Sequence, residues 1–147
     1  MYFRLQSIRE NKELTQKQIA EILKVSQASY SRWEKEIEII PLKKLIILAE
    51  YYNVTLDYLC NFTNIKKNNI SYEIDKIVVG NRIIAFRKEH NISQKELALF
   101  LNTTPSTICA YEKGKTLILT SFIYQICITN NISMDYMCGL TNKKYQQ

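Results

Sequence analysis

From Gln16 onward, apolar or small side chains recur at Ile19, Ala20, Leu23, Val25, Tyr30 and Trp33, with mostly polar residues between them. These intervals predict two short amphipathic helices that cross steeply around a tight turn at Lys24. The small Ala20 permits close approach of the second helix, and the larger residues form the wedge between the two. The pattern returns from Gln94, at Leu97, Ala98, Leu101, Thr103, Ile108 and Tyr111, with the turn at Asn102. Asn accepts a left-handed backbone more readily than Lys, so Lys24 is the less expected turn residue.

Helix-start signals agree with this pattern. Thr15 is followed by Gln18 and Ser93 by Glu96, the spacing at which a hydroxyl and a longer polar side chain satisfy each other's backbone N–H groups. Ser26 and Thr104 are placed to cap the next helix, and Pro105 suits a first helical position because it has no N–H to leave unpaired. A further helix is expected after Pro41, with Leu42, Leu45, Ile46 and Ala49 on one face. A last short one follows Thr55 or Ser133, with Asp57 or Asp135 in its first turn, where the helix dipole favours negative charge. The expected fold class is all-α, with about five short helices in each of two bundles.

The two bundles are copies. A shift of 78 positions aligns residues 5–64 with 83–142 without a gap, pairing Arg9 with Arg87, Gln16 with Gln94, Glu34 with Glu112 and Asp57 with Asp135. A gapless match of this length indicates duplication of a whole folding unit. The expected boundaries are a first domain at 1–66, a linker at 67–78 and a second domain at 79–147. The later part of the linker is expected to run into the first helix of the second copy.

Composition narrows the chemistry. With 46% hydrophobic residues over 147 positions, the chain can bury a core. A net charge of +6 favours an anionic partner such as nucleic acid. The opening "MYFRLQSIRE" has no apolar run or small-residue cleavage site, and no apolar stretch is long enough to span a bilayer. A cytoplasmic protein without a membrane partner is therefore expected. The four cysteines form no C-x-x-C pair and His90 is the single histidine, which points to reduced thiols and to no metal or cofactor. No clustered acids, Ser/His/Asp set or phosphate-cradling glycine loop is present, so an enzyme is not expected. No aromatic platform or glycine-basic motif points to RNA.

With "LTQKQIAEIL" and "WEK" in the first copy and "ISQKELALFL" and "YEKG" in the second, the chain resembles the XRE/Cro helix-turn-helix family of bacterial and phage regulators, the lambda-repressor-like fold. The resemblance covers both copies. It implies a recognition helix from Gln27 to Lys35 lying in the major groove of double-stranded DNA, with Gln27, Ala28, Ser31 and Arg32 toward the bases. Gln27 suits adenine and Arg32 suits guanine, each good pairing being worth about 1–3 kcal/mol of discrimination. Phosphate contacts are implied for Gln16, Lys17, Ser26 and Lys35, and in the second copy for Gln94, Lys95, Ser106, Thr107 and Lys113. Arg9 with Glu34, and Arg87 with Glu112, correspond to an internal ion pair between the first and third helices.

The copies are not equally equipped. Where the first offers Gln27 and Arg32, the second has Pro105 and Ala110, and Cys109 lies on the outer face as a candidate for redox control. Glu36 and Glu38 follow the first recognition helix, where carboxylates oppose binding to a polyanion. The segment "LILTSFIYQICI" carries no charge, which suits packing against a partner. The leading expectation is a sequence-specific regulator, a repressor of phage or mobile-element type. Either one chain covers two half-sites with its two copies, or a homodimer uses the first copy twice, with the second copy as a candidate dimer surface; the unequal copies favour the homodimer. The alternative is a protein-binding module on the same scaffold, an inhibitor or antitoxin-like partner with little DNA affinity.

Overall fold

The computed structural model describes residues 3–67 and 69–147, and the described residues form ten helices, with one isolated antiparallel bridge between Ile132 and Tyr145. The chain divides into two compact units, the first running to Tyr72 and including Gln146–Gln147, the second spanning Glu73–Tyr145. The first holds α1 (Leu5–Asn11), α2 (Gln16–Leu23), α3 (Gln27–Glu34), α4 (Leu42–Tyr52) and α5 (Leu56–Leu59). The second holds α6 (Lys76–Glu89), α7 (Gln94–Leu101), α8 (Pro105–Glu112), α9 (Thr120–Asn130) and α10 (Met134–Met137). Each unit is an all-α helix-turn-helix bundle.

The local rules read from the sequence account for the helix starts. Thr15 accepts from the Gln18 backbone while Gln18 Oε1 accepts from the Thr15 N–H at 2.8 Å. Ser93 and Glu96 form the same reciprocal pair. Ser26, Thr104, Thr55 and Ser133 each cap the helix that follows them, and Pro105 stands at the first turn of α8. Lys24 does take the left-handed turn, at φ +57° and ψ +45°. The strain, roughly 1–2 kcal/mol, is accepted because the turn returns the Val25 N–H to the Ala20 carbonyl at 3.0 Å. Lys44 Nζ also donates to the Leu23 carbonyl at 2.8 Å, satisfying an acceptor at the end of α2.

The wedge residues make the core of each unit. Ile19, Ala20, Leu23, Tyr30 and Trp33 are buried in the first, and Leu97, Ala98, Leu101, Ile108 and Tyr111 in the second; Val25 and Thr103 are half-buried. Full burial of one such large apolar side chain stabilises by about 1.5–3 kcal/mol.

The units differ at their first helix. α6 has 14 residues where α1 has 7, and it begins inside the stretch expected to be linker. Asp75 caps it, accepting from the Ile77 N–H at 2.8 Å. Glycine makes room for the extra turns. A Cβ on Gly80 would sit 2.5 Å from the Tyr111 carbonyl oxygen at the end of α8, and Gly114, at φ +69°, lies against Ile77. The first unit in turn continues past the expected boundary. The Tyr72 hydroxyl donates to the Val54 carbonyl at 2.8 Å, and the Thr55 N–H to the Lys66 carbonyl at 2.9 Å.

Candidate nucleic-acid interface

In the first unit, α3 is held from behind and presents one side outward. Tyr30 and Trp33 anchor its inner face, with their rings edge to face at 6.5 Å. These aromatics are therefore packing residues, not stacking platforms for bases. Gln27, Ala28 and Arg32 are exposed on the opposite face and Ser31 is half-buried beside them. Lys17 at the start of α2 and Lys35 at the end of α3 are also exposed.

The orientation of α3 is set by a buried polar cluster. Glu34 accepts from Arg9 Nε at 2.8 Å and from Gln16 Nε2 at 2.9 Å, and its side chain is only 2% exposed. Arg9 Nη1 also donates to the Leu14 carbonyl at 2.7 Å, tying the loop before α2 into the cluster. Burial works to lower the Arg9 pKa, but the hydrogen bond and charge of Glu34 outweigh it and the net direction is upward. The second unit repeats the cluster. Arg87 Nε lies 2.9 Å from Glu112 Oε2, and Gln94 Nε2 donates to Glu112 Oε1 at 3.0 Å.

Several phosphate candidates have other bonds here. The side-chain amides of Gln16 and Gln94 each give one of their two N–H donors to Glu34 or Glu112, and the helix-start backbone N–H groups stand beside them. The Ser26 hydroxyl accepts from the Ser29 N–H and donates to Ser29 Oγ at 3.0 Å. Thr104 Oγ1 holds both Ser106 Oγ and Thr107 Oγ1, at 3.0 and 2.9 Å. Lys95 and Lys113 are exposed, as is Ser106, while Thr107 is half-buried. Cys109 is half-buried, the other three cysteines are buried, and no disulfide joins any of them among the described residues.

Two further arginines were missed in the sequence. The Arg4 guanidinium lies 4.2 Å from the Tyr58 ring centre and bonds Asn61 and Asn64. Arg82 lies 3.9 Å from the Tyr136 ring centre and bonds the carbonyls of Tyr136 and Thr141 and the side chain of Asn142. The signal was present: Arg4 and Arg82 obey the same 78-residue offset, one position before the aligned segment begins. They brace the first helix of each unit against its last.

The helix-turn-helix family model matches residues 5–59 and again 83–137. The chain belongs to the XRE-type helix-turn-helix family. The two matched segments keep the 78-residue offset of the internal repeat, so both units of this helix-turn-helix chain are family domains. Among its relatives, a Bacillus subtilis (strain 168) protein named as the uncharacterized HTH-type transcriptional regulator YobD is 33% identical over 78 residues, covering 50% of this chain and 70% of that protein. The Enterococcus faecalis protein named as the HTH-type transcriptional activator BcrR is 26% identical over 162 aligned positions, covering 95% of this chain and 76% of that protein. No solved structure matches the chain. No helix among the described residues is long and apolar enough to cross a membrane.

Proposed function

We propose that this helix-turn-helix chain is a sequence-specific DNA-binding transcriptional regulator that reads the major groove with α3. The observation that carries this reading is the outer face of α3: Gln27, Ala28 and Arg32 exposed on a helix anchored by Tyr30, Trp33 and the Glu34 cluster. Rigid presentation of long polar side chains is what direct base readout requires. Gln27 and Arg32 supply base recognition, with Ala28 and Ser31 lining the same surface. Lys17 and Lys35, with the helix-start N–H groups at Gln16 and Ser26, hold the phosphates.

The second unit keeps the frame and lacks the readers. Pro105, Ser106 and Ala110 occupy the outward positions of α8, flanked by Lys95 and Lys113. In this proposal it adds charge-based grip through Gln94, Lys95, Ser106, Thr107 and Lys113, and pairs two chains as a homodimer. Support for pairing comes from Leu99 and Ile128, which are 71% and 52% exposed where the first unit has Glu21 and Glu50. The same apolar exposure favours the second reading, a protein-binding module.

The mode proposed is repression, with DNA occupancy itself the regulatory act, although the Enterococcus relative is named as an activator. The test is selection of duplexes from a randomised library by the full chain, followed by titration with Gln27→Ala/Arg32→Ala. A selected consensus that wild type prefers over an unrelated duplex by about 10³-fold, with that preference lost in the double variant, is expected. Absence of any consensus sinks the DNA-reading proposal and moves attention to protein partners. A reporter carrying the selected site then gives the sign of regulation, with repression expected.

A further inference from the structure

Arg32 does not stand alone on the outer face of α3. Its Nη2 lies 3.0 Å from Glu38 Oε1, and both side chains are more than half exposed. The backbone sets the carboxylate there, because the N–H groups of Ile37 and Glu38 both return to the Arg32 carbonyl, at 3.0 and 3.4 Å. An exposed pair of this kind adds only about 0–1 kcal/mol to stability, so fold maintenance does not account for it. In the second unit both members are absent together: Ala110 and Thr116 occupy the equivalent positions. Glu36, equally acidic in sequence, is placed differently, its carboxylate accepting from the Phe3 N–H at 3.1 Å.

Resting on the reading of α3 as the base reader, we infer that Glu38 is a specificity-determining residue that orients Arg32 toward a base and opposes its use on phosphate. A guanidinium has five N–H donors. The Glu38 contact at Nη2 leaves the others for the O6 and N7 acceptors of guanine. A swing of Arg32 onto the DNA backbone gives up the Glu38 contact and leaves an unpaired carboxylate beside a polyanion. Sequence-independent binding is therefore penalised more than base readout.

The full chain is titrated across salt against a duplex selected from a randomised library and against an unrelated duplex of equal length. Wild type is compared with Glu38→Gln, Glu36→Gln and Arg32→Ala. Glu38→Gln is expected to tighten binding to the unrelated duplex about 5–10-fold while the selected duplex changes little, lowering the ratio of the two affinities by that factor. The slope of log affinity against log salt on the unrelated duplex steepens by about one, reporting one new phosphate contact. Glu36→Gln removes the same charge nearby and is expected to keep the wild-type ratio. An unchanged ratio in Glu38→Gln, whether both affinities rise together or neither moves, overturns the role of Glu38, and so does an equal loss in Glu36→Gln. If Arg32→Ala keeps the wild-type preference, base reading by this arginine falls and the role of Glu38 falls with it. If Arg32→Ala loses the preference while Glu38→Gln keeps it, the role of Glu38 alone is overturned.

Discussion

Replacing Arg9 by Met leaves the Glu34 carboxylate, 2% exposed, inside the first unit with its cation gone and the Gln16 amide still donating. Breaking one partner of a buried pair costs about 3–5 kcal/mol. A unit of some seventy residues has a total stability of about 4–10 kcal/mol, at roughly 0.05–0.15 kcal/mol per residue. The loss is thus a large share of the whole. With a urea dependence of about 1 kcal/mol per molar for a unit this small, the midpoint falls by about 3–5 M, or the unit is unfolded in buffer. Trp33 is the only tryptophan and adjoins Glu34 in α3, so its fluorescence follows the first unit while circular dichroism follows both. Arg9→Met is expected to move the fluorescence transition and leave the second unit's dichroic transition in place, and Arg87→Met to do the reverse. Arg9→Met/Glu34→Leu is expected to recover at least half of the loss, because no charge is then left buried. The residual cost comes from the Leu14 carbonyl and the Gln16 amide, which lose their partners. A single-variant cost under about 1 kcal/mol, the range of exposed pairs, would refute the reasoning. A double variant no more stable than the single would refute it as well.

Other expectations follow from the same structure. Thr15→Ala and Ser93→Ala each remove a capping hydroxyl and should destabilise their own unit by about 1 kcal/mol in urea titrations. Gly80→Ala places a methyl group 2.5 Å from the Tyr111 carbonyl and should destabilise the second unit by about 1–3 kcal/mol in thermal melts, leaving Trp33 fluorescence unchanged. The Tyr52 hydroxyl is buried without a hydrogen-bond partner among the described residues, so Tyr52→Phe should be neutral or stabilising by up to about 1–2 kcal/mol. Burial, reinforced by neighbouring Tyr51, pushes the Tyr52 phenol above its ordinary range. An unfolded phenol ionises near its ordinary pKa of about 10, while the folded one stays protonated. Stability that is complete below that pH is therefore lost as pH rises above it, and Tyr52→Phe should flatten the decline in alkaline melts.

Nearly everything local was determined by the sequence itself. Capping needs residues three apart, a helix–turn–helix wedge needs residues within one short window, and both interactions act between near neighbours. The duplication then made each local inference twice, while the pairing of Arg9 with Glu34 and of Arg87 with Glu112, distant in the chain, was legible only through the resemblance to the helix-turn-helix family. The tertiary structure decided what distant side chains do to one another. Gln16 and Gln94, placed at helix starts suited to phosphate, turn their amides inward because Glu34 and Glu112 come within reach only when α3 and α8 fold back. The added length of α6 is accommodated by its own Gly80, which lets it lie against the Tyr111 carbonyl, and by Gly114, which lies against Ile77. Glu36 and Glu38 are alike as letters, yet one accepts from the Phe3 backbone and the other from Arg32, because the chain leaving α3 turns through a left-handed residue at position 36. Periodicity shows which residues face inward; only the packed chain shows which partner each polar group meets.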